Sequence, residues 1–395
     1  MDINHIIGRN RDLFVSDFTY HMNEIRDAFA GSKVLVLGAA GTIGQAVTLE
    51  LFSLSPASLH CVDISENNLV ELVRTLRSSK SDGPKEFKTF AVDVGGPEFE
   101  VLLSDMGPYD FVFNLSALKH VRSEKDPYTL MRMIQVNIVN TVKTVDLIKN
   151  SPCKKYFSVS TDKASNPANL MGASKRIMEL FLMRDSSEQK ISMARFANVA
   201  FSDGSLLHGF TQRIAKTQPI SAPSDIKRFF IKPHEAGKLC IMSGVFGESR
   251  DIFFPAADQE LLLENFADIA VRYLRTIGYE PEYCSSDEEA KAICTQVIKH
   301  KKWPVYFFQS DTSGEKPFEE FHTQSEVVDF SRFSDIGVVK NECSVDQTRL
   351  DLFLTRIRDL INNRTYNKRD IISIFEQTLP ELNHIETGKS LDDKM

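Results

Sequence analysis

Between about residue 33 and residue 200, short runs of β-branched and aromatic residues alternate with longer stretches whose apolar positions recur every three to four residues. KVLVL, SLHCVD, FKTFAVD, YDFVFNLSA and KKYFSVS read as buried strands. The stretches between them carry helix spacing, as in Ala46, Val47, Leu49, Leu51 and Phe52, or Leu170, Ile177, Met178, Leu180 and Phe181. Strand and helix in strict alternation predict an α/β fold, a Rossmann-type doubly wound parallel sheet with helices on both faces. Before it, Phe14, Phe18, Met22, Ile25 and Phe29 predict a helical lead-in over residues 1–32. After it, the expected division is a smaller substrate-binding lobe over 201–340, part of which returns to the sheet. A helical extension over 341–395 then ends in a polar, flexible tail, ETGKSLDDKM.

The first strand runs directly into Gly38-Ala-Ala-Gly41-Thr42-Ile43-Gly44. A strand, a glycine loop and a helix in this order make a dinucleotide site. Gly38 allows the tight turn, Gly41 lets the backbone approach a pyrophosphate, and Gly44 lets the helix pack closely against the strand. The second strand ends at Asp63, where a carboxylate reaches the adenosine ribose. Ile64 and Ser65 follow, with no arginine for a 2′-phosphate, which favours NAD over NADP. Asp93 and Val94 end the third strand, and Asp93 is either an adenine contact or a plain loop aspartate. Asn114, Ser116 and Ala117 follow the fourth strand on the same edge of the sheet, and Lys119 and His120 come next. Asn137 sits in the middle of an amphipathic helix, where a buried amide needs partners. The fifth strand ends at Thr161, Asp162 and Lys163, where open α/β sheets place their ligands. On the helix after it, Met171 and Lys175 are four apart and share one face.

Composition narrows the function. The chain has 395 residues, 42% hydrophobic and 26% charged, enough for two or three domains or one large domain with additions. A net charge of -7 argues against a nucleic-acid partner held by bulk charge. The six cysteines are scattered without a C-x-x-C pair, which fits reduced cytosolic thiols better than a zinc site or a disulfide framework; no metal is expected. The opening MDINHIIGRN lacks an apolar signal core, and no run reaches the roughly eighteen apolar residues of a membrane span. The expected location is the cytoplasm.

GAAGTIG, NLSALKHV, VNIVNT, STDKASNPANLMGASK and RFANV, in this order, resemble the extended short-chain dehydrogenase/reductase superfamily. Within it they are similar to the UDP-N-acetylglucosamine 4,6-dehydratases of bacterial surface-polysaccharide synthesis. SDGSLLHGFTQRIAK, DIKRFF and SGEKPFEEF resemble that family's nucleotide-sugar segments. Two departures stand out. The superfamily's catalytic tyrosine is Met171 here, as in the long, membrane-anchored dehydratases, and the RPGEK arginine and proline are Thr312 and Ser313. Residues 280–310 have no counterpart in the family pattern and predict an amphipathic helix over the lobe or at an oligomer contact.

The resemblance implies an internal oxidation and reduction of a UDP-N-acetylhexosamine, with loss of water and NAD regenerated. It makes Asp162 the acid at C6, Lys163 the base at C5 and Lys175 the holder of the nicotinamide ribose. Thr161 is the candidate for the C4 hydroxyl proton in place of the tyrosine. Asn198 and Arg228 are candidate diphosphate contacts, Arg228 being otherwise an ordinary surface arginine. Glu315 and Lys316 either serve the uridine end or cap a helix, and Lys119 and His120 either face the sugar or form a structural loop. The family implies a homo-oligomer. A 4-epimerase or reductase is the competing enzyme, and a non-catalytic NAD-binding regulator the competing class.

Overall fold

Val34, Leu35, Val36 and Leu37 are all fully buried, and Ile191–Phe196 is buried at every position. Strands closed off on both faces belong in a parallel sheet sandwiched by helices, and that is how the chain folds. The computed structural model describes residues 1–79, 81–256, 263–310, 316, 318, 320–342, 345–382 and 384. Its main sheet has nine strands. In spatial order they are Val327–Asp329, Ile336–Lys340, Ile252–Pro255, Ile191–Phe196, Lys155–Thr161, Phe111–Asn114, Lys33–Leu37, Ser58–Asp63 and Glu86–Ala91. From Ile252–Pro255 to Glu86–Ala91 every pairing is parallel, and only Ile336–Lys340 runs against its two neighbours. The chain winds outward from Lys33–Leu37 in one direction, then returns to Phe111–Asn114 and winds the other way. The order reverses between these two adjacent strands, and a crevice opens there at their carboxyl ends.

Residues 201–340 are not a separate lobe cut at one point. Ile252–Pro255 and Ile336–Lys340 lie in the main sheet, and the helix Pro233–Phe246 packs on it beside Thr42–Leu54. What stands apart is a three-stranded parallel sheet of Ile220–Pro223, Lys302–Phe308 and Glu280–Tyr283. It is backed by the helices Leu206–Ala215 and Phe266–Thr276 around Phe210, Tyr273, Leu274 and Trp303. The segment 280–310 is therefore more than the amphipathic helix expected of it. Asp287–Val297 is helical, but it crosses between two strands of the lobe's own sheet. KWPVYFF is apolar and aromatic enough to be a strand, a signal that the more periodic helix masked.

The lead-in is three short helices, Ile3–Ile6, Val15–Tyr20 and Met22–Phe29, rather than one. Phe14 breaks it by taking a left-handed φ of 63°, held by its N–H on the Asp335 carboxylate. Asp17 in turn accepts the main-chain N–H groups of Ser334 and Asp335. At the other end, Gln347–Asn363 and Lys368–Thr378 lay Leu350, Phe353, Ile357, Ile371 and Phe375 over Phe181 of the helix Leu170–Asp185. The polar tail expected beyond them lies outside the described residues. Among the described residues no helix is long and apolar enough to cross a membrane.

Candidate functional site

The glycine loop sits at the crevice. Gly38 has φ +71°, and a Cβ there would lie 2.7 Å from the Ser116 nitrogen, so only glycine lets the loop cross the end of the neighbouring strand. A Cβ on Gly44 would fall 2.0 Å from the Gly38 oxygen. Gly41 differs. A Cβ there meets nothing closer than 3.7 Å, which leaves open the side a phosphate would approach. Gly41 is also the N-cap of Thr42–Leu54 with no side chain capping it, so the first N–H groups of the helix face an anion site. Asp63 accepts the N–H groups of Ala40 and Ser65, both at 2.9 Å, and so ties the loop to the second strand. Thr42 exchanges hydrogen bonds with Asp203, in the loop that precedes the lobe, at 3.2 Å and 3.0 Å. Ile43 packs against the core under the loop. These residues fit a dinucleotide.

Around the crevice, Asp93 accepts the Gly95 N–H at 2.8 Å and pairs with Arg132 at 2.8 Å, while Val94 is buried in the core. Burial works to raise the Asp93 carboxyl, but Gly95 and Arg132 outweigh it and hold it below its ordinary value. An adenine contact would share the carboxylate with Arg132. Asn114 donates to Thr141 and Tyr156 and accepts the Ser116 N–H, which orders Ser116 and Ala117 at the strand end. Asn137 lies in a π-helical turn, Gln135–Val139, that turns its amide inward. Its oxygen accepts the Leu118 N–H at 2.9 Å, and its nitrogen donates to the Leu118 carbonyl and to Ser174 Oγ, both at 3.0 Å.

At the end of the fifth strand three side chains meet. Thr161 Oγ1 donates to Asp162 Oδ1 at 2.8 Å, and Lys163 Nζ lies 3.1 Å from the same oxygen. Asp162 is only 4% exposed. Asn169 caps the next helix by accepting the Gly172 N–H, and the Met171 side chain is buried beneath its first turn. Lys175, one turn on, donates to the Val159 carbonyl at 3.1 Å rather than to the Thr161–Lys163 cluster. Burial pulls its ammonium down to about 8, against the opposing charge of Glu179.

Lys119 donates to Ser202 at 3.2 Å, and His120 packs over Gly204, so these two close against the loop that precedes the lobe. Burial, with Lys119 and Arg122 beside it, pushes the His120 imidazole below its ordinary value. Asn198 and Arg228 come together because Asn198–Val199 pairs with Phe230–Ile231. Arg228 is buried, not a surface arginine, and donates to the Lys316 carbonyl at 2.9 Å. Lys316 reaches back to the Asn166 carbonyl, and Glu320 accepts from Asn166 at 2.8 Å. Glu315, Thr312 and Ser313 lie outside the described residues.

The motif reading passes over the group that holds the fifth strand in place. Arg195 is fully buried and donates to Glu179 at 2.9 and 2.8 Å, to Glu326 at 2.8 and 2.8 Å, and to the Phe321 carbonyl. Ser160, next to Thr161, donates to Glu179 at 2.6 Å. Burial disfavours both charges, yet Arg195 still holds the Glu179 carboxyl below its ordinary value. A lone charged residue in the strand ISMARF, and a glutamate four residues after Lys175, were the available signals.

The parallel sheet thus carries a glycine loop at its switch point, with an acid, a lysine and a threonine at a neighbouring strand end. The family model described as "Polysaccharide biosynthesis protein" matches residues 34–341, and the chain belongs to that family. A Methanocaldococcus jannaschii protein described as an uncharacterized membrane protein is 28% identical, over 80% of this chain and 88% of its own length. Staphylococcus aureus capsular polysaccharide biosynthesis protein CapD is 26% identical over 86% of this chain, which spans about half (52%) of CapD. A Rickettsia rickettsii UDP-glucose 4-epimerase is 26% identical over 67% of this chain and 81% of its own length. Among solved structures, Pen from Bacillus thuringiensis covers 83% of this chain and 98% of its own, with a TM-score of 0.63 and 20% identity.

Proposed function

We propose that this protein catalyses the NAD-dependent 4,6-dehydration of a UDP-N-acetylhexosamine, UDP-N-acetylglucosamine first, to the UDP-4-keto-6-deoxy sugar. The observation that carries this reading is the hydrogen-bonded Thr161–Asp162–Lys163 cluster, with a buried methionine, Met171, at the helix position opposite it. A thioether takes no proton, so the C4 hydroxyl needs another outlet. Thr161 Oγ1 already donates to Asp162, so the O4 proton passes through Thr161 to that carboxylate. Asp162 then carries the proton that the C6 hydroxyl needs in order to leave as water. Lys163 takes the C5 proton made acidic by the C4 ketone and afterwards returns it. The balance is one water lost, with its proton supplied by O4. When bound, NAD supplies the oxidation at C4 and the matching reduction at C6. Lys175 holds the nicotinamide ribose, Gly38–Gly44 and Asp63 hold the remainder of the dinucleotide, and Asn198 and Arg228 serve the diphosphate.

The similarity to a UDP-glucose 4-epimerase supports a second reading, C4 inversion at the same site. Incubation with UDP-N-acetylglucosamine in deuterated water separates the two. Loss of one water with deuterium at C5 supports dehydration, whereas unchanged mass with C4 inverted replaces it with epimerisation. No turnover of any UDP-N-acetylhexosamine by NAD-loaded protein would leave a binding role.

A further inference from the structure

The strand that ends in Thr161 begins at Lys155, about 20 Å away at roughly 3.3 Å per residue. Lys155 is 7% exposed, and its ammonium donates to the carbonyl of Gly247, the C-cap of Pro233–Phe246. That contact alone is a familiar way to finish a helix, since the last carbonyls need donors. It uses one of three ammonium donors, and among the described residues no second acceptor bonds to the Lys155 ammonium. Beside it is a cavity of about 370 Å³, lined by Lys154, Lys155 and Lys190 and by the apolar side chains of Phe111, Val245 and Phe246.

The charges around the cavity do not cancel. Lys154 pairs with Asp110 at 3.0 Å, and Glu248, on the cavity wall, pairs with Lys340 at 3.0 Å. Lys190 stands at the rim with no ion pair among the described residues. Burial, reinforced by Lys190, pulls the Lys155 ammonium down to about 8, although Asp251 and Glu248 oppose this. This is how a buried cation with too little counter-charge behaves.

We propose that this cavity, at the amino ends of the strands, is a second ligand site that takes a phosphate-bearing small molecule, with the phosphate between Lys155 and Lys190 and any apolar part against Phe111 and Phe246. It is independent of the reaction assigned to the strand carboxyl ends. The phosphate has two possible sources, free inorganic phosphate or a phosphate monoester with an aromatic group, and the aromatic wall favours the ester.

Isothermal titration of the full-length protein with inorganic phosphate and with phenyl phosphate tests this. Both anions are expected to bind, and Lys155→Met or Lys190→Glu is expected to weaken them about tenfold or more, the scale of one lost charge-assisted hydrogen bond. Lys155→Arg should retain binding. Tighter binding of phenyl phosphate would identify the ester, and equal binding the free anion; either supports the site. If Lys155→Met fails to fold, Lys190→Glu at the exposed rim carries the same test. No binding to the native protein, or equal binding to the native protein and the Lys190→Glu variant, overturns the proposal.

Discussion

The main-chain N–H of Met171 donates to Glu124 Oε1 at 2.7 Å. Glu124 sits in the short 3-10 turn Val121–Glu124 that follows Lys119 and His120, and it is itself nearly buried. Its second oxygen lies 3.8 Å from His384, beyond the helix Lys368–Thr378. One carboxylate thus joins the loop after the fourth strand, the first turn of the Lys175 helix and the C-terminal extension. A helix start leaves N–H groups without intrahelical partners, and here Glu124 and Asn169 take two of them.

Glu124→Ala is expected to lower stability by about 1–3 kcal/mol, because a buried N–H loses its acceptor. It should also weaken NAD binding by shifting Lys175, with Glu124→Gln recovering most of both. Thermal melting and NAD titration read the two effects; an alanine variant with native melting and native NAD affinity would contradict this role.

Asp162→Asn keeps the shape of the Thr161–Asp162–Lys163 cluster but removes the proton carrier. Dehydration should fall by about 10²–10⁴-fold while NAD still binds, as is usual when a general acid is lost. Mass spectrometry of the nucleotide sugar gives the answer, and retained turnover would remove Asp162 from the mechanism.

Lys175→Met should abolish activity and yet raise stability near pH 7. The folded-state value of Lys175 is about 8 against an ordinary 10.5, so keeping it charged below pH 8 costs on the order of 3 kcal/mol. Between about 8 and 10.5 the unfolded chain holds the extra proton, so native stability rises with pH across that window. Lys155 shifts the same way but is present in both proteins and cancels. The melting advantage of Lys175→Met over the native protein should therefore shrink from pH 8 to pH 10.5. A constant gap would mean that Lys175 is not a buried charge.

Glu179→Ala strips Arg195 of one of its two carboxylates inside the sheet. Removing one partner of a buried pair costs about 3–5 kcal/mol, and Ser160 loses its tether as well. Chemical denaturation should show the loss, and turnover should drop with it because Thr161 adjoins Ser160. An unchanged denaturation midpoint would rule this out.

How much was legible in the chain can be traced through particular elements. The glycine loop, Asp63 and the Thr161–Lys163 strand end were readable because they depend on residues close in sequence, at strand ends whose periodicity is strong. KWPVYFF as a strand, and the break at Phe14, were not. A short apolar run is ambiguous on its own, and Phe14 is turned by Asp335, more than three hundred residues away in the chain.

The sequence by itself determined the alternation of strand and helix, the glycine loop between them and the adjacency of an acid and a lysine, since local spacing sets which face and which end a side chain occupies. Only the tertiary structure decided that Arg195 is held between Glu179 and Glu326, that Arg228 is buried under Lys316, and that the C-terminal helices cover the Lys175 helix. Those pairings cross tens to hundreds of residues. The ion pairs exist because a charge enclosed by the fold must find its partner in space, and the helices are held because their apolar faces must leave water, wherever along the chain the partner lies.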